Sequence, residues 1–532
     1  MLEEATLWRL IEARADATPE ATMAVDEHAR ELSFAGYRNA ALAAARALAA
    51  RGIGAGSLVS WMLPTRLEAL VLVGALARLD ALQNPILPIY RAREVRFISA
   101  QAKPVLLVTP ALWRGFDYAA MAREIAESAL GLETLAIDRG LPGLPDLGPS
   151  PGSISGSIPA DLAAALPPPP RELPPADLPV RWLFYSSGTT ADPKGALHTD
   201  ASLWAAAKGM ALGLDLRASD RIAFVFPFTH IGGMAWLFAG LAAGACQILI
   251  ENFAAPDTMA VLRRQGVTLG TAGTVFHEAY LRAARACPDP PLFPRMRAFP
   301  GGGAPKPPQL HYDLVAEIGG AGICSGWGLT EAPNLTMVNI HDPSAKQAES
   351  EGRPSLPEVD LRAVKSDGSL AGPGESGELR VRAPQVCRGY LDASLDAAAF
   401  DEHGYFRTGD LGCIDAEGYV VITGRLKDVI IRKGENIPAK EVEDLLYTHP
   451  KVAEVAVIGL PDAKSGERCC AVAVCKDPRS PLEFGEMQRF LREQQLMTQK
   501  IPEQLELVDV LPRNATGKVL KHELRARFAQ SR

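Results

Sequence analysis

Residues 185–195 read Tyr185-Ser186-Ser187-Gly188-Thr189-Thr190-Ala191-Asp192-Pro193-Lys194-Gly195. A short apolar run, Trp182-Leu183-Phe184, leads into it like the end of a strand. Hydroxyls, glycine amides and one ammonium are the groups a polyphosphate needs around it. The spacing departs from the ordinary nucleotide loop, which ends Gly-Lys-Ser/Thr; here Pro193 precedes Lys194 and Gly195 follows it. Taken alone, the stretch reads first as a surface connection built from turn formers. The rest of the chain decides between these readings.

At 532 residues the chain exceeds one hydrophobic core, so two or more domains are expected. An apolar content of 47% and a charged content of 22% are those of a globular protein. The net charge of −7 argues against a general nucleic-acid binder but leaves room for local basic pockets. The 8 cysteines are scattered without Cys-x-x-Cys spacing, so neither a zinc site nor a disulfide framework is expected, and reduced, cytoplasmic thiols are the simpler reading. The start, Met-Leu-Glu-Glu-Ala-Thr, lacks the basic and apolar regions of a signal peptide. No apolar run reaches the roughly eighteen residues of a membrane span, and the final Ala-Gln-Ser-Arg is not a peroxisomal address.

In order along the chain, 34–51 is a helix opened by Ser33 and ended by Gly52, and 58–63, 66–79, 82–89, 94–102 and 104–108 alternate between extended and helical patterns. Such alternation predicts an α/β domain with mainly parallel sheets. Residues 140–179, rich in Pro, Gly and Ser, interrupt it as an irregular spacer. Beyond residue 195 the pattern resumes: strands at 222–226, 247–251, 295–299 and 322–325, helices at 231–243, 256–265, 274–286 and 305–318. Gly301-Gly302-Gly303 and Gly326-Trp327-Gly328 then read as loops after strands, and ligands of such sheets sit at the strands' carboxyl ends. From residue 359 the texture becomes short β, with strands at 359–364, 378–382 and 419–423. A last α/β segment follows, with a boundary near 424–427, helices at 439–447 and 484–494 and strands at 454–458 and 470–474. Single residues remain ambiguous here: Asp410 reads as a turn residue, Thr330-Glu331 as a helix start, Lys518 as a solvated lysine and His230 as a structural histidine.

Taken together, the stretches 185–195, 227–233, 301–305, 326–331, 352–354, 377–382, 405–411, 424–428, 433–436 and 511–518 resemble, in order, the motifs of the acyl-adenylate-forming (AMP-binding) superfamily. That superfamily includes acyl-CoA synthetases, luciferase-like enzymes and peptide-synthetase adenylation domains. Asn84-Pro85-Ile86-Leu87-Pro88-Ile89-Tyr90-Arg91 is similar to the cyclohexanecarboxylate and fatty-acid CoA ligase branch. One departure is Ala191, where the family usually has Gly. The resemblance implies a large N-terminal adenylation domain, 1–424, of parallel sheets with a small β-barrel-like part, and a small mobile α+β domain, 425–532, turning about Lys427. It implies a ligase that joins a carboxylic acid to coenzyme A through an acyl-adenylate, with ATP and Mg²⁺. Loading of a carrier-protein thiol and a non-catalytic AMP-binding homologue remain as alternatives.

By the same resemblance Lys518, Glu331, Lys194 and His230 are catalytic. Ser186 and Glu331 are the Mg²⁺ ligands, and hard oxygen donors suit that ion. Ser186, Ser187, Gly188, Thr189, Thr190 and Lys194 hold the phosphates. Gly302, Gly303, Ala304 and Pro305 pass the adenine, and Gly326, Trp327, Gly328, Leu329 and Thr330 flank the base. Asp410 and Arg425 take the ribose hydroxyls. Lys433, Gly434 and Asn436 form the loop brought to the thiol's channel in the second step. The candidates for the acyl pocket are His230, Gly233, Met234, Trp236, Ala272, Phe276, Gly301 and Leu329, an apolar set suited to an aliphatic, alicyclic or aromatic acid, with Met234, Trp236 and Phe276 reading equally as plain core. Residues 226–233 contain no carboxylate, which disfavours an amino-acid substrate. The implied partners are the acid, ATP and CoA, without nucleic acid or integral membrane segment; a homodimer is left open.

Overall fold

The computed structural model describes residues 1–138, 166–186, 193–287, 291–303, 306–432, 435–462, 465–513 and 518–529. Two mainly parallel sheets, of four and six strands, open the fold. One runs in the order Arg221–Phe224, Cys246–Leu249, Thr22–Asp26, Glu31–Ser33, with only the last strand antiparallel. The other has six strands in the order Lys194–Thr199, Val180–Ser186, Leu82–Pro85, Leu58–Trp61, Leu106–Thr109, Glu133–Ala136, parallel except for the hairpin at its first edge.

The helices between these sheets are apolar on nearly every face. In Leu67–Arg78 only Ala77 retains appreciable exposure, and in Ile231–Ala243 Gly232 and Ala243 alone are not fully buried. A helix without a polar stripe must lie inside a protein. Both join one core with Trp8, Tyr37, Trp61, Trp182 and Phe228. Each side chain of this size, fully buried, contributes about 1.5–3 kcal/mol or more. The preceding helix, Phe34–Ala49, starts as its sequence requires: Ser33 Oγ accepts the Gly36 amide at 3.0 Å.

A third sheet pairs Phe299–Gly302 with Ile323–Leu329 in parallel, then adds Ala332–Met337 and Arg353–Pro354 antiparallel. A fourth is an antiparallel meander of Asp360–Val364, Gly377–Arg382, Phe406–Ile414 and Val420–Arg425. After one 3₁₀ turn, Leu426–Asp428, the chain enters a fifth sheet at Val429–Arg432. That sheet includes Glu435–Pro438, Val452–Asp462, Gly466–Cys475 and Gln504–Leu507. It packs its own core of Ile430, Ile437, Val442, Leu446, Val457 and Leu491 against helices Ala439–Tyr447 and Phe484–Glu493. Among the described residues no helix is long and apolar enough to cross a membrane.

Three expectations need correction. Gly301 and Gly302 do not follow a strand: they are in it, opposite Ser325 and Gly326, and Gly326-Trp327-Gly328 likewise belongs to Ile323–Leu329. Glycine serves close packing there: a Cβ on Gly302 would lie 2.6 Å from the Gly326 carbonyl oxygen. Asp410 is not in a turn but inside the strand Phe406–Ile414, paired across the sheet with Arg425. Thr330-Glu331 opens no helix; it is the two-residue turn between Ile323–Leu329 and Ala332–Met337. The helix expected from 305 begins at Pro308, and helices Leu7–Ala17 and Tyr118–Ser128 add to those expected.

Candidate active site

The hairpin Val180–Ser186 and Lys194–Thr199 places Ser186 directly opposite Lys194, at the two ends of the 187–192 segment. Its base is fixed by Trp182, whose indole N–H donates to Asp200 Oδ1 at 2.6 Å. Ser187, Gly188, Thr189, Thr190 and Ala191 lie outside the described residues, as do Ala304, Pro305, Lys433 and Gly434. Asn436 is described by its backbone alone, within Glu435–Pro438.

Glu331 sits on its turn with one carboxylate oxygen turned toward this hairpin. Ser186 Oγ stands 3.4 Å from Glu331 Oε1, and the Tyr390 hydroxyl donates to the same oxygen at 2.9 Å. The turn is held from both sides. His198 Nε2 is 2.9 Å from the Thr330 carbonyl, and the Cys387 amide donates to the Glu331 carbonyl at 2.8 Å. Burial pulls the His198 imidazole down to about 4, so it is neutral; facing a carbonyl, Nε2 carries the proton. Lys194, exposed, holds its ammonium 5.6 Å from the Tyr390 ring centroid. Burial, reinforced by Glu331, raises the Tyr390 phenol and keeps it a donor.

Asp410 is shared by two partners. Trp327 Nε1 donates to its Oδ2 at 2.8 Å, and Arg425 Nε lies 2.8 Å from its Oδ1. The Asp410 side chain is 4% exposed and that of Arg425 30%, so the pair shows its cationic end to solvent. Lys518, from beyond the fifth sheet, reaches the same place. Burial first, then Arg425 and Lys427, lower its ammonium to about 7 against the opposing pull of Asp410 and Asp428. Three segments far apart in sequence thus converge on one charged cluster.

Lys306 packs on the strand that carries Trp327, Ile323–Leu329, although lysine is ordinarily a solvent residue. It is 8% exposed; its ammonium donates to Ser325 Oγ and, at 2.7 Å, to the Ser350 carbonyl, and burial lowers its pKa. Neither Lys306 nor Tyr390 stands out in the sequence. The available signals were a lysine one position past Gly301–Pro305 and the run Cys387-Arg388-Gly389-Tyr390-Leu391.

His230 caps the helix Ile231–Ala243: the Gly232 amide donates to its Nδ1 at 3.1 Å. Burial lowers this imidazole to about 4, so it is neutral with its proton on Nε2. Of the expected acyl-pocket residues, Met234 and Trp236 instead pack into the main core, Met234 with no exposed surface. Ala272, Phe276 and Leu329 are only partly buried. Phe276 stacks edge-on against Phe253 at 5.0 Å, and Ala272 holds φ at +119°, a conformation rare for a residue with a Cβ.

A family model described as AMP-binding enzyme matches residues 11–391, and one described as AMP-binding enzyme C-terminal domain matches 441–518. The chain belongs to the AMP-binding enzyme family. The medium-chain fatty-acid–CoA ligase of Escherichia coli (strain K12) is 29% identical over 517 residues, 96% of this chain and 88% of the ligase. The salicyl-AMP ligase / salicyl-S-ArCP synthetase of Mycobacterium tuberculosis (strain ATCC 25618 / H37Rv) is 31% identical over 497 residues, 93% of this chain and 85% of its own. Among solved structures, ATP-bound MatB from Rhodopseudomonas palustris superposes with a TM-score of 0.85 at 27% identity, covering 99% of both chains. The apo form of MatB gives 0.75 at the same identity and coverage.

The donor set of this AMP-binding enzyme bears on the metal. Among the described residues no three His, Cys, Asp or Glu side chains cluster as a metal cage. Mg²⁺ seldom needs one: it is usually held by one or two carboxylates, substrate phosphates and water. A lone carboxylate beside a hydroxyl, next to a hairpin that ends in lysine, fits that mode.

Proposed function

We propose that this AMP-binding enzyme is an ATP-dependent carboxylic acid–CoA ligase that forms acyl-CoA, AMP and pyrophosphate through an acyl-adenylate. The observation that carries the reading is that the strand Ile323–Leu329 and the turn after it carry both Trp327, bonded to Asp410 beside Arg425 and Lys518, and Glu331, beside Ser186. In the first step a carboxylate oxygen of the acid bonds to the α-phosphorus of ATP as the bond to pyrophosphate breaks. Both reactants are anions, so the protein's task is to bring them together and hold the charge that shifts between them.

Lys194 and the 187–190 segment take the β- and γ-phosphates. Glu331 and Ser186 hold Mg²⁺, which when bound draws charge from the phosphate oxygens. Arg425 and Asp410 orient the ribose, and Trp327, tied to Asp410, presents a face to the adenine beside Gly302 and Gly303. Lys518 places its ammonium between the attacking carboxylate and the α-phosphate. His230, neutral, keeps its proton on Nε2, since Nδ1 accepts the Gly232 amide. In the second step the sulfur of CoA bonds to the acyl carbon, the bond to AMP breaks, and the thiol proton leaves to solvent. The small domain, 425–532, turns for this step about Lys427, bringing up Lys433, Gly434 and Asn436. The passage from one sheet to the next across a single turn at 426–428 supports that pivot, and the higher similarity to ATP-bound than to apo MatB supports an adenylating arrangement.

The partly buried Phe276, Ala272 and Leu329, and the lack of a carboxylate at 226–233, favour an apolar acid over an amino acid. A carrier-protein thiol is the second reading, favoured by the similarity to salicyl-AMP ligase / salicyl-S-ArCP synthetase. Purified protein with ATP, Mg²⁺ and a panel of aliphatic, alicyclic and aromatic acids, with and without CoA, tests both. Acid-dependent pyrophosphate release followed by a CoA thioester is expected. Release without any thioester refutes the CoA ligase and leaves the carrier-loading enzyme.

A further inference from the structure

We infer that Tyr390 is a positioning residue for the cation site: its hydroxyl holds one oxygen of Glu331 and presents the other to Mg²⁺, while its ring seats the Lys194 ammonium. The inference rests on the reading of Glu331 as a cation ligand. Both donors that reach Glu331, the Tyr390 hydroxyl at 2.9 Å and Ser186 Oγ at 3.4 Å, approach Oε1. Among the described residues no donor reaches Oε2. A carboxylate fixed through one oxygen cannot rotate freely, so its second oxygen keeps a set direction. Partners of metal-binding carboxylates generally act in this way.

The placement of Tyr390 is built into the backbone. Residues 388–391 run as an extra strand along Lys194–Thr199. Arg388 N donates to Leu197 O at 2.8 Å, Leu197 N to Gly389 O at 2.9 Å and Leu391 N to Gly195 O at 2.8 Å. Cys387, the residue just before this strap, ties the same segment to the Glu331 carbonyl. Gly389 has φ +122°, and a Cβ there would fall 2.7 Å from Asp396 Oδ2, the side chain whose other oxygen accepts the Tyr390 amide at 2.9 Å. The ring, 6% exposed, packs with Ala196 and Cys387 and offers its face to Lys194 at 5.6 Å. One side chain thus links the lysine that closes the phosphate segment to the carboxylate of the cation site.

Tyr390→Phe removes the hydroxyl and keeps the ring; Tyr390→Leu removes both; Glu331→Gln serves as the control. Full-length variants are titrated with Mn²⁺ in the presence of ATP, with bound metal read by electron paramagnetic resonance, and with ATP in the absence of metal, read by calorimetry. Tyr390→Phe is expected to weaken Mn²⁺ binding about tenfold, the lower end of what such partners contribute. Its metal-free ATP affinity stays within about twofold, because the ring face remains. Tyr390→Leu is expected to weaken metal-free ATP binding as well, by about threefold. If Glu331→Gln loses Mn²⁺ affinity while Tyr390→Phe does not, Tyr390 merely packs and the inference falls. If Glu331→Gln also binds Mn²⁺ normally, the cation-ligand reading itself is wrong and the inference falls with it.

Discussion

Lys518 predicts a pH profile of definite shape. Its ammonium is lowered to about 7, first by burial and then by Arg425 and Lys427. In the free enzyme it is therefore charged below about pH 7 and neutral above it. The proposed reaction needs the charged form, since in it the Lys518 ammonium neutralises the carboxylate and the α-phosphate oxygens. The parameter kcat/KM reports the free enzyme, so for ATP it should fall on the alkaline side with an apparent pKa of about 7, about tenfold per pH unit. At about pH 9 roughly one molecule in a hundred would still carry the charge. Bound anions favour the ammonium, so kcat should hold to higher pH, and substrate binding above neutrality should take up a proton. Pyrophosphate release at saturating acid, followed with varied ATP across the pH range, reads the limb. Calorimetry in buffers of different ionisation enthalpy reads the proton.

Two variants separate Lys518 from other titrating groups. Lys518→Arg keeps a charge at every working pH, so any limb that survives in it belongs to ATP. Lys427→Met removes one of the cations that depress Lys518 and should move the limb upward. A limb near the ordinary lysine value, its persistence in Lys518→Arg, or a downward move in Lys427→Met would each refute the reasoning.

Lys427→Pro should spare adenylation and block thioester formation, measured as pyrophosphate release against acyl-CoA yield; equal loss of both argues against a pivot there. Gly302→Ala and Gly303→Ala form a contrasting pair. The first drives a Cβ to 2.6 Å from the Gly326 carbonyl and should raise KM for ATP at least tenfold, about 1.4 kcal/mol or more. The second meets nothing within 4 Å but holds φ +79°, and should cost only about 1–2 kcal/mol of stability by denaturant titration. Lys306→Met strips the hydrogen bonds to Ser325 and Ser350 and leaves the Ser350 carbonyl with Ser325 Oγ at 3.3 Å, a loss of about 1–3 kcal/mol measurable by urea unfolding.

Elements with strong local signals were legible from the residues alone. Ile231–Ala243, Thr274–Ala286 and Ala439–Tyr447 are helices at their expected bounds: the last two carry an amphipathic period, and the first is a long apolar run closed by Gly244. The ordered motifs pointed to the AMP-binding enzyme family, which the matches over 11–391 and 441–518 bear out. Glycine misled: as punctuation it signals a loop, yet Gly302 and Gly326 serve two strands too close together for side chains. Asp410 misled in the same way, because a turn former can also sit in a strand when an indole and a guanidinium satisfy it. Met234, offered by the resemblance as pocket lining or as core, is core: a family motif marks a stretch and not which of its side chains faces a cavity. Tyr390 and Lys306 escaped notice because what matters about them is a partner elsewhere in the chain: Glu331 for one, Ser325 and Ser350 for the other.

Arg425 is both the partner of Asp410 and the last residue of the meander, two positions before Lys427. The guanidinium proposed to meet the nucleotide's sugar is thus anchored at the foot of the fifth sheet, the arm of the proposed turn. Under that proposal a sugar gripped there would brace the foot and its departure would loosen it. Nucleotide exit and the resetting of the arm would then be one mechanical event, so a slow step in either would be felt as retained AMP. In this arrangement the clutch of the cycle is the single turn Leu426–Asp428, and Arg425 is the tooth that engages it.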